Sequence, residues 1–191
     1  TTIGRDVHQI SKELMILANQ EELGALWDAE GTLNRAILSG IAADYLNIAR
    51  HRGLYDQIRL LDENGAEIVR VNYNAGQPAI VAPDKLQNKK GRYYFDDAFK
   101  LNRGEIFVSP FDLNIEHGKI EFPLKPMIRF ATPVYDGFGV KRGIVLLNYL
   151  GAEILDELAN SADTIKAHQS MLLNRNGYWL MGPKPHQEWG F

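Results

Sequence analysis

MIRFATPVYDGFGVKRGIVLLNY, residues 127–149, decides how this chain folds. It holds two apolar runs, Met127–Tyr135 and Gly143–Tyr149, separated by Asp136-Gly137-Phe138-Gly139. A glycine-bearing break of that length between β-rich runs signals a hairpin. The second run, Ile144-Val145-Leu146-Leu147, shows no polar alternation, which predicts a strand covered on both faces. Two central antiparallel strands therefore need partners and covering layers from the rest of the chain.

Upstream, after Gly53, the hydrophobic period is two. Tyr55–Asp62 and Ala66–Tyr73 flank Glu63-Asn64-Gly65, an Asn-Gly hairpin signal. In the second of these strands, alternation sends Ile68, Arg70 and Asn72 to one face and Val69, Val71 and Tyr73 to the other. Leu86–Leu101 reads as short helices broken at Gly91. Glu105–Asp112 is a third strand, interrupted by Pro110, which favours an edge or bulge there. His117-Gly118-Lys119 is the tip of an excursion that returns through Pro123 and Pro126, and Gly151–Ala159 is a short exit helix. At the other end, apolar residues at three- and four-residue spacings predict helices over 5–29 and 33–51, with Gly31 ending the first and Thr32 capping the second. Their apolar stripe predicts packing on the sheet; the length of the leading helix leaves a dimer seam as the alternative. The whole is α+β, with one five-stranded antiparallel sheet and a helical crossover between its second and third strands.

Composition narrows the function. The chain has 191 residues, 45% hydrophobic and 24% charged, enough for one full core or one and a half small domains. A net charge of −3 without basic runs gives no attraction to nucleic acid. Cysteine is absent, which removes disulfides, thiol nucleophiles and thiolate metal sites. No run approaches the roughly 20 apolar residues of a spanning helix. The lack of an initiating Met and the stop at Trp189-Gly190-Phe191 suggest a piece of a longer protein. Leu38-Ser39-Gly40 lacks the first glycine of a nucleophile elbow and sits in a helical pattern. The five histidines are scattered, so Asp112, Glu116 and His117 have no second histidine to complete a metal site. With no phosphate loop either, the expectation is no enzyme, no metal and no cofactor.

A binding site is better supported. Arg92-Tyr93-Tyr94-Phe95 combines a planar bidentate cation with aromatic walls, which is what recognition of a small carboxylate requires. Arg70 and Arg129 interrupt apolar strands and so face a cavity, pair with an acid or reach an edge; Asp112 and Asp136 are the candidate acids. Ser109, Phe111 and Thr132 are supporting candidates. The competing reading makes Arg92 an ion-pair partner of Asp96 or Asp97 and the aromatics plain core.

Two frames, Leu60-Leu61-Asp62-Glu63-Asn64-Gly65 and Leu172-Leu173-Asn174-Arg175-Asn176-Gly177, echo one another about one such sheet unit apart, which suggests that 170–191 opens a second unit. Together with Tyr55-Asp56-Gln57-Ile58-Arg59, Arg92-Tyr93-Tyr94-Phe95 with Ala98, Ser109-Pro110-Phe111-Asp112 and Pro133-Val134-Tyr135-Asp136, the order of elements resembles the double-Cache, PAS-like sensor domains of bacterial membrane receptors. The resemblance implies N-terminal helices over 1–54, a membrane-distal PAS-like unit over 55–160, and a linker with the truncated start of a second unit over 161–191. It implies an extracytoplasmic, periplasmic domain of an inner-membrane receptor, membrane-anchored in the intact protein, whose output is a histidine kinase, a diguanylate cyclase or a chemoreceptor. In the amino-acid-binding members the matching segment reads Arg-x-Trp-Tyr, which places Arg92 on the ligand carboxylate with Tyr94 and Phe95 in the aromatic places. The family's amine-binding aspartate falls on Asn148, and this departure favours a carboxylate without an amine over an amino acid. The implied ligand set is Arg92, Tyr94, Phe95, Ser109, Phe111, Arg129, Asn148 and Arg70. A structural or dimerisation domain with a closed pocket is the alternative.

Overall fold

The 127–149 stretch forms the hairpin expected of it, with strands Pro126–Tyr135 and Lys141–Leu150 and with Ile144, Val145, Leu146 and Leu147 fully buried. The computed structural model describes residues 2–116, 119–152, 154–156, 171–182 and 184–190. The chain divides into two compact units, Thr1–Val108 with Arg129–Tyr149, and Ser109–Ile128 with Leu150–Phe191.

In the first unit, helices α1 (Thr2–Ala18), α2 (Glu21–Ala25) and α3 (Arg35–Arg52) precede strands β1 (Tyr55–Asp62), β2 (Glu67–Asn72) and β3 (Ala79–Ile80). Helix α4 (Tyr93–Lys100) and β4 (Phe107–Val108) follow. The second unit supplies β5 (Asp112–Leu113), β6 (Ile115–Glu116) and β7 (Lys119–Ile120), so the central hairpin is β8 and β9. The sheet order is β3-β2-β1-β9-β8-β4. Short β3 is an addition to the five expected strands, and the expected third strand is split into β4 and β5 around Ser109-Pro110, because Pro110 has no N–H to give a ladder.

The leading helix stops earlier than expected. Asn19 turns its side-chain amide back onto the Met15 carbonyl at 2.7 Å, and Gln20 leaves the helical region with ψ 139°, so α2 is a separate short turn rather than part of a helix over 5–29. Asn34, not Thr32, caps α3, its Oδ1 accepting the N–H groups of Ala36 and Ile37 at 3.0 and 3.3 Å.

One turn design recurs in the chain. Asp62 Oδ1 accepts the N–H groups of Asn64 and Ala66, with Gly65 left-handed at φ 77°. Asp136 holds Phe138 and Val140 in the same way, Asp28 holds Glu30 and Thr32, and Asn174 holds Asn176 and Tyr178. Each turn places a glycine of positive φ three residues after the acceptor. The echo between Asp62 and Asn174 is thus a turn signature. In the second unit it closes the hairpin of β10 (Leu172–Leu173) and β11 (Trp179–Met181).

The sheet buries both faces. Helix α3 packs against β1 and β2, where register puts Ile58 with Val71 and Leu60 with Val69 on one face. On the other, Tyr94, Phe95 and Ala98 of α4 form a core cluster with Leu61, Ala131, Ile144 and Leu146. Burying each of these large apolar side chains contributes about 1.5–3 kcal/mol. Within the second unit, Phe111 lies 5.8 Å from the Trp189 ring and against Gly151, where a Cβ would come within 2.4 Å of it. The far part of the expected exit helix, the following linker and the expected tip at His117-Gly118 fall outside the described residues.

Candidate functional site

A charged face lies beneath α4, completed by a bulge in β2, and a second bulge opens β1. In β1, Tyr55 pairs with Tyr149 and Gln57 with Asn148, leaving Asp56 as the extra residue. In β2, Val69 pairs with Leu60 and Glu67 with Leu61, leaving Ile68 as the extra residue. An extra residue resets the alternation of side chains. Gln57 shares a face with Arg59 by ordinary alternation and with Asn148 by pairing, and the bulge at Ile68 turns Glu67 to the side of Arg70 instead of the side of Val69.

Arg59, only 2% exposed, is the centre of this face. Its Nη1 lies 3.3 Å from Glu67 Oε1, and its Nη2 donates to Asn148 Oδ1 at 2.6 Å. Arg70 Nη1 is 3.7 Å from Glu67 Oε2, and Lys89 Nζ is 4.0 Å from Glu67 Oε1. The Gln87 N–H also donates to Glu67 Oε2 at 3.0 Å. A charge pair 4 Å apart interacts by about 4 kcal/mol at an effective dielectric of about 20, so the Glu67 carboxylate is a clasp that draws three cations to one spot.

Tyr94 is the floor under the guanidinium groups. Its ring centroid lies 5.7 Å from Arg59 Cζ, 5.7 Å from Arg92 Cζ and 5.0 Å from Arg129 Cζ. Arg59 Nε is buried with no hydrogen-bond partner among the described residues. Arg92 occupies the N-cap position of α4, and among the described residues its side chain makes no hydrogen bond or ion pair beyond its contact with the Tyr94 ring. The alternative pairing with Asp96 or Asp97 is not formed: Asp96 Oδ1 accepts the Gly91 N–H at 3.2 Å, and Asp97 pairs with Lys100 at 3.0 Å.

Arg92, Tyr94, Arg129, Asn148 and Arg70 thus lie in one unit, the first three meeting at one ring. Phe95 stacks on Phe99 at 5.6 Å within the core cluster. Ser109 and Phe111 belong to the second unit, where Ser109 Oγ donates to the Pro110 carbonyl at 2.7 Å. Thr132 Oγ1 is committed to the Glu105 carbonyl at 2.8 Å. Asp136 is not the acid of Arg70 or Arg129: its Oδ2 takes Arg142 Nε at 2.7 Å while Oδ1 closes the hairpin turn. Burial opposes its charge, but the Arg142 hydrogen bond, the Val140 and Phe138 N–H groups and the Arg142 charge outweigh burial and hold its pKa below the ordinary value. Sequence reasoning missed Gln57, Arg59, Glu67 and Lys89. Arg59 carried the same signal as Arg70, a charge inside an apolar strand; Glu67 and Lys89 carried none.

A cleft of about 500 Å3 opens elsewhere in the first unit, lined by Gln20, Gly24, Arg103, Tyr135, Asp136 and Phe138 among others. Its charged groups are committed, Asp136 to the turn and Arg142, and Arg103 to the Tyr135 ring at 4.3 Å. The Tyr94 face, with a buried donor left over, is the stronger site. No group of metal-ligating side chains occurs among the described residues.

An antiparallel sheet with N-terminal helices is the fold of the Cache-type sensor domains. The chain belongs to the bacterial histidine kinase sensor domain family, whose model matches residues 5–191. Among solved structures, it resembles a domain of a putative sensory box/GGDEF family protein from Vibrio parahaemolyticus at 22% identity and a TM-score of 0.76, over 98% of this chain and 70% of that one. The extracellular domain of the putative histidine kinase vpHK1S-Z8 matches at 22% identity and 0.75, over 98% and 66%. The ligand-binding domain of the Pseudomonas aeruginosa PAO1 amino acid chemoreceptor PctC, in complex with GABA, matches at 16% and 0.63, over 99% and 72%. A comparison with curated proteins gave no match. No helix among the described residues is long and apolar enough to cross a membrane.

Proposed function

We propose that the chain is the extracytoplasmic sensing module of a membrane-anchored bacterial receptor and binds a small carboxylate over Tyr94. The observation that carries this reading is the convergence of Arg92, whose guanidinium is uncommitted among the described residues, and of the buried Arg59 Nε on one aromatic ring. A carboxylate supplies the two oxygens that such donors take, and the ring walls it from water. The GABA held by the chemoreceptor PctC is itself a carboxylate, which supports the class. The face also has a route to the leading helix: the Tyr55 hydroxyl, at the start of the strand bearing Arg59, donates to Glu13 Oε2 of α1 at 2.6 Å, and Glu13 also pairs with Arg52. Occupancy that shifts β1 would thereby bias α1 and the receptor dimer. Ile16 of α1, 68% exposed, suits a dimer seam along that helix, and the 172–181 hairpin suits the start of a second PAS-like unit.

The competing reading is an interaction module with a closed face, favoured by the near-complete burial of Arg59, Tyr94 and Arg129. Thermal unfolding against a panel of small acids separates the two, since a ligand that binds only the folded state raises the midpoint. A concentration-dependent rise with at least one acid supports sensing, and a flat response across the panel supports the interaction module.

A further inference from the structure

We infer that the cleft at the end of α1 is a second binding site, separate from the Tyr94 face, for a small acid rich in hydroxyl groups, of the kind a sugar acid represents. It does not rest on the carboxylate reading above. Four segments of the first unit build the cleft: the last turn of α1, α2 with Gln20 before it, the Arg103-Gly104 loop, and the end of β8 with its turn. Two of these are pinned together. The Gly137 N–H donates to the Gly24 carbonyl at 2.8 Å, and a Cβ on Gly137 would come within 3.1 Å of that oxygen, so glycine lets the turn close on α2. At about 500 Å3 the cleft lies within the range of about 300–1,000 Å3 that small-molecule sites occupy.

The groups in its lining set the ligand. Arg103 is exposed and rests on the Tyr135 ring at 4.3 Å. A ring contact engages a face of the guanidinium and none of its five N–H donors, and among the described residues Arg103 makes no hydrogen bond or ion pair. Such a fork takes a carboxylate. Asp136, the acid of the lining, does not compete for it, because Oδ1 holds the Phe138 and Val140 N–H groups and Oδ2 holds Arg142 Nε. The remaining acceptors are neutral. The Gln20 side chain makes no hydrogen bond among the described residues, its Oε1 being buried without a partner, and the last turn of α1 ends in carbonyls that have no intrahelical donor. Neutral acceptors suit hydroxyl donors, whereas an ammonium would find no uncommitted carboxylate to neutralise it. Phe138 completes the lining with a side chain 66% exposed, an aromatic surface on which the C–H face of a sugar ring packs.

Calorimetric titration of the 191-residue chain with D-glucuronate, D-glucose, cyclohexanecarboxylate and L-serine tests this. D-Glucuronate should bind at least about tenfold more tightly than each of the others. D-Glucose lacks the charge, cyclohexanecarboxylate keeps ring and charge without hydroxyls, and L-serine brings an ammonium. Arg103→Ala should weaken D-glucuronate by about tenfold or more and Phe138→Ala by about threefold or more, while Arg92→Ala leaves it within about twofold. Any of the three other probes binding as tightly as D-glucuronate overturns the hydroxylated-acid assignment, and no binding of D-glucuronate overturns the inference whole. Affinity unchanged by Arg103→Ala overturns the site. If Arg92→Ala abolishes that binding instead, the acid lies on the Tyr94 face, which overturns the second site and leaves the carboxylate reading standing.

Discussion

Replacing Arg92 with Ala separates binding from folding more cleanly than any other change on this face. Among the described residues its guanidinium makes no hydrogen bond or ion pair, and its contact is the Tyr94 ring at 5.7 Å. A partly exposed cation–π contact is worth about 0.5–1 kcal/mol, so the folded state should lose no more than about 1 kcal/mol. A carboxylate bound through the fork of the same guanidinium would lose a charge-assisted bidentate contact of about 2–4 kcal/mol, which is about 30- to 1,000-fold in affinity. Urea denaturation of both proteins measures the first quantity, and calorimetric titration with succinate measures the second. An affinity unchanged by Arg92→Ala would remove Arg92 from the site. A stability loss well above 1 kcal/mol would show that Arg92 is structural.

Three other outcomes follow from the geometry. Asp136→Asn should cost about 2–4 kcal/mol by removing the short ion pair to Arg142 Nε, leaving Arg142 its 3.9 Å contact with Glu63, and by weakening the hairpin turn; because the folded pKa of Asp136 is depressed, its contribution is complete above about pH 4 and is lost as pH falls below that, so wild type and variant should converge in acid melting curves. Tyr55→Phe should cost about 1.5–3 kcal/mol by removing the hydrogen bond to Glu13, while leaving succinate affinity within about twofold. Burial raises the Tyr55 pKa to about 12, with the nearby Tyr149 adding to the rise and Arg52 opposing it, so the hydroxyl remains a donor and spectrophotometric titration should show no change at that tyrosine up to about pH 10. Gly143→Ala would place a Cβ 1.8 Å from the Leu61 carbonyl oxygen between β1 and β9, and chemical denaturation should show a loss at or above the upper end of the about 1–3 kcal/mol typical of overpacking.

The sheet and its central hairpin were legible because apolar runs and Asx-Gly turns are local signals. Ile144–Leu147 could only be buried, and Asp62, Asp136 and Asn174 each announce the turn that they close. The contact of Arg92 with Tyr94 was legible for a related reason: an arginine beside aromatics at a helix start is a compact, sequence-local pattern. The clasp at Glu67 was not. Strict alternation assigns Glu67 to the side of Val69 and Val71, and the bulge at Ile68, which nothing in the local composition marks, turns it the other way. Ser109 and Phe111 are candidates that the resemblance implies, and nothing in 105–112 marks that the chain leaves the first unit after Val108. The ladder to β8 is interrupted at Ser109-Pro110 and resumes at Asp112, and Phe111 packs on Trp189, a contact across nearly the whole remaining sequence. Phe95 and Tyr94 are neighbours in sequence, yet successive helical side chains diverge, so Phe95 stacks on Phe99 while Tyr94 receives the guanidinium groups.

A crystal structure of the chain grown with saturating succinate measures directly where an acid binds. The prediction is density over the Tyr94 ring with carboxylate oxygens within hydrogen-bond distance of Arg92 and of Arg59 Nε. Succinate bound instead in the cleft beside Arg103 and Tyr135, with the Tyr94 face closed and unchanged, would contradict it.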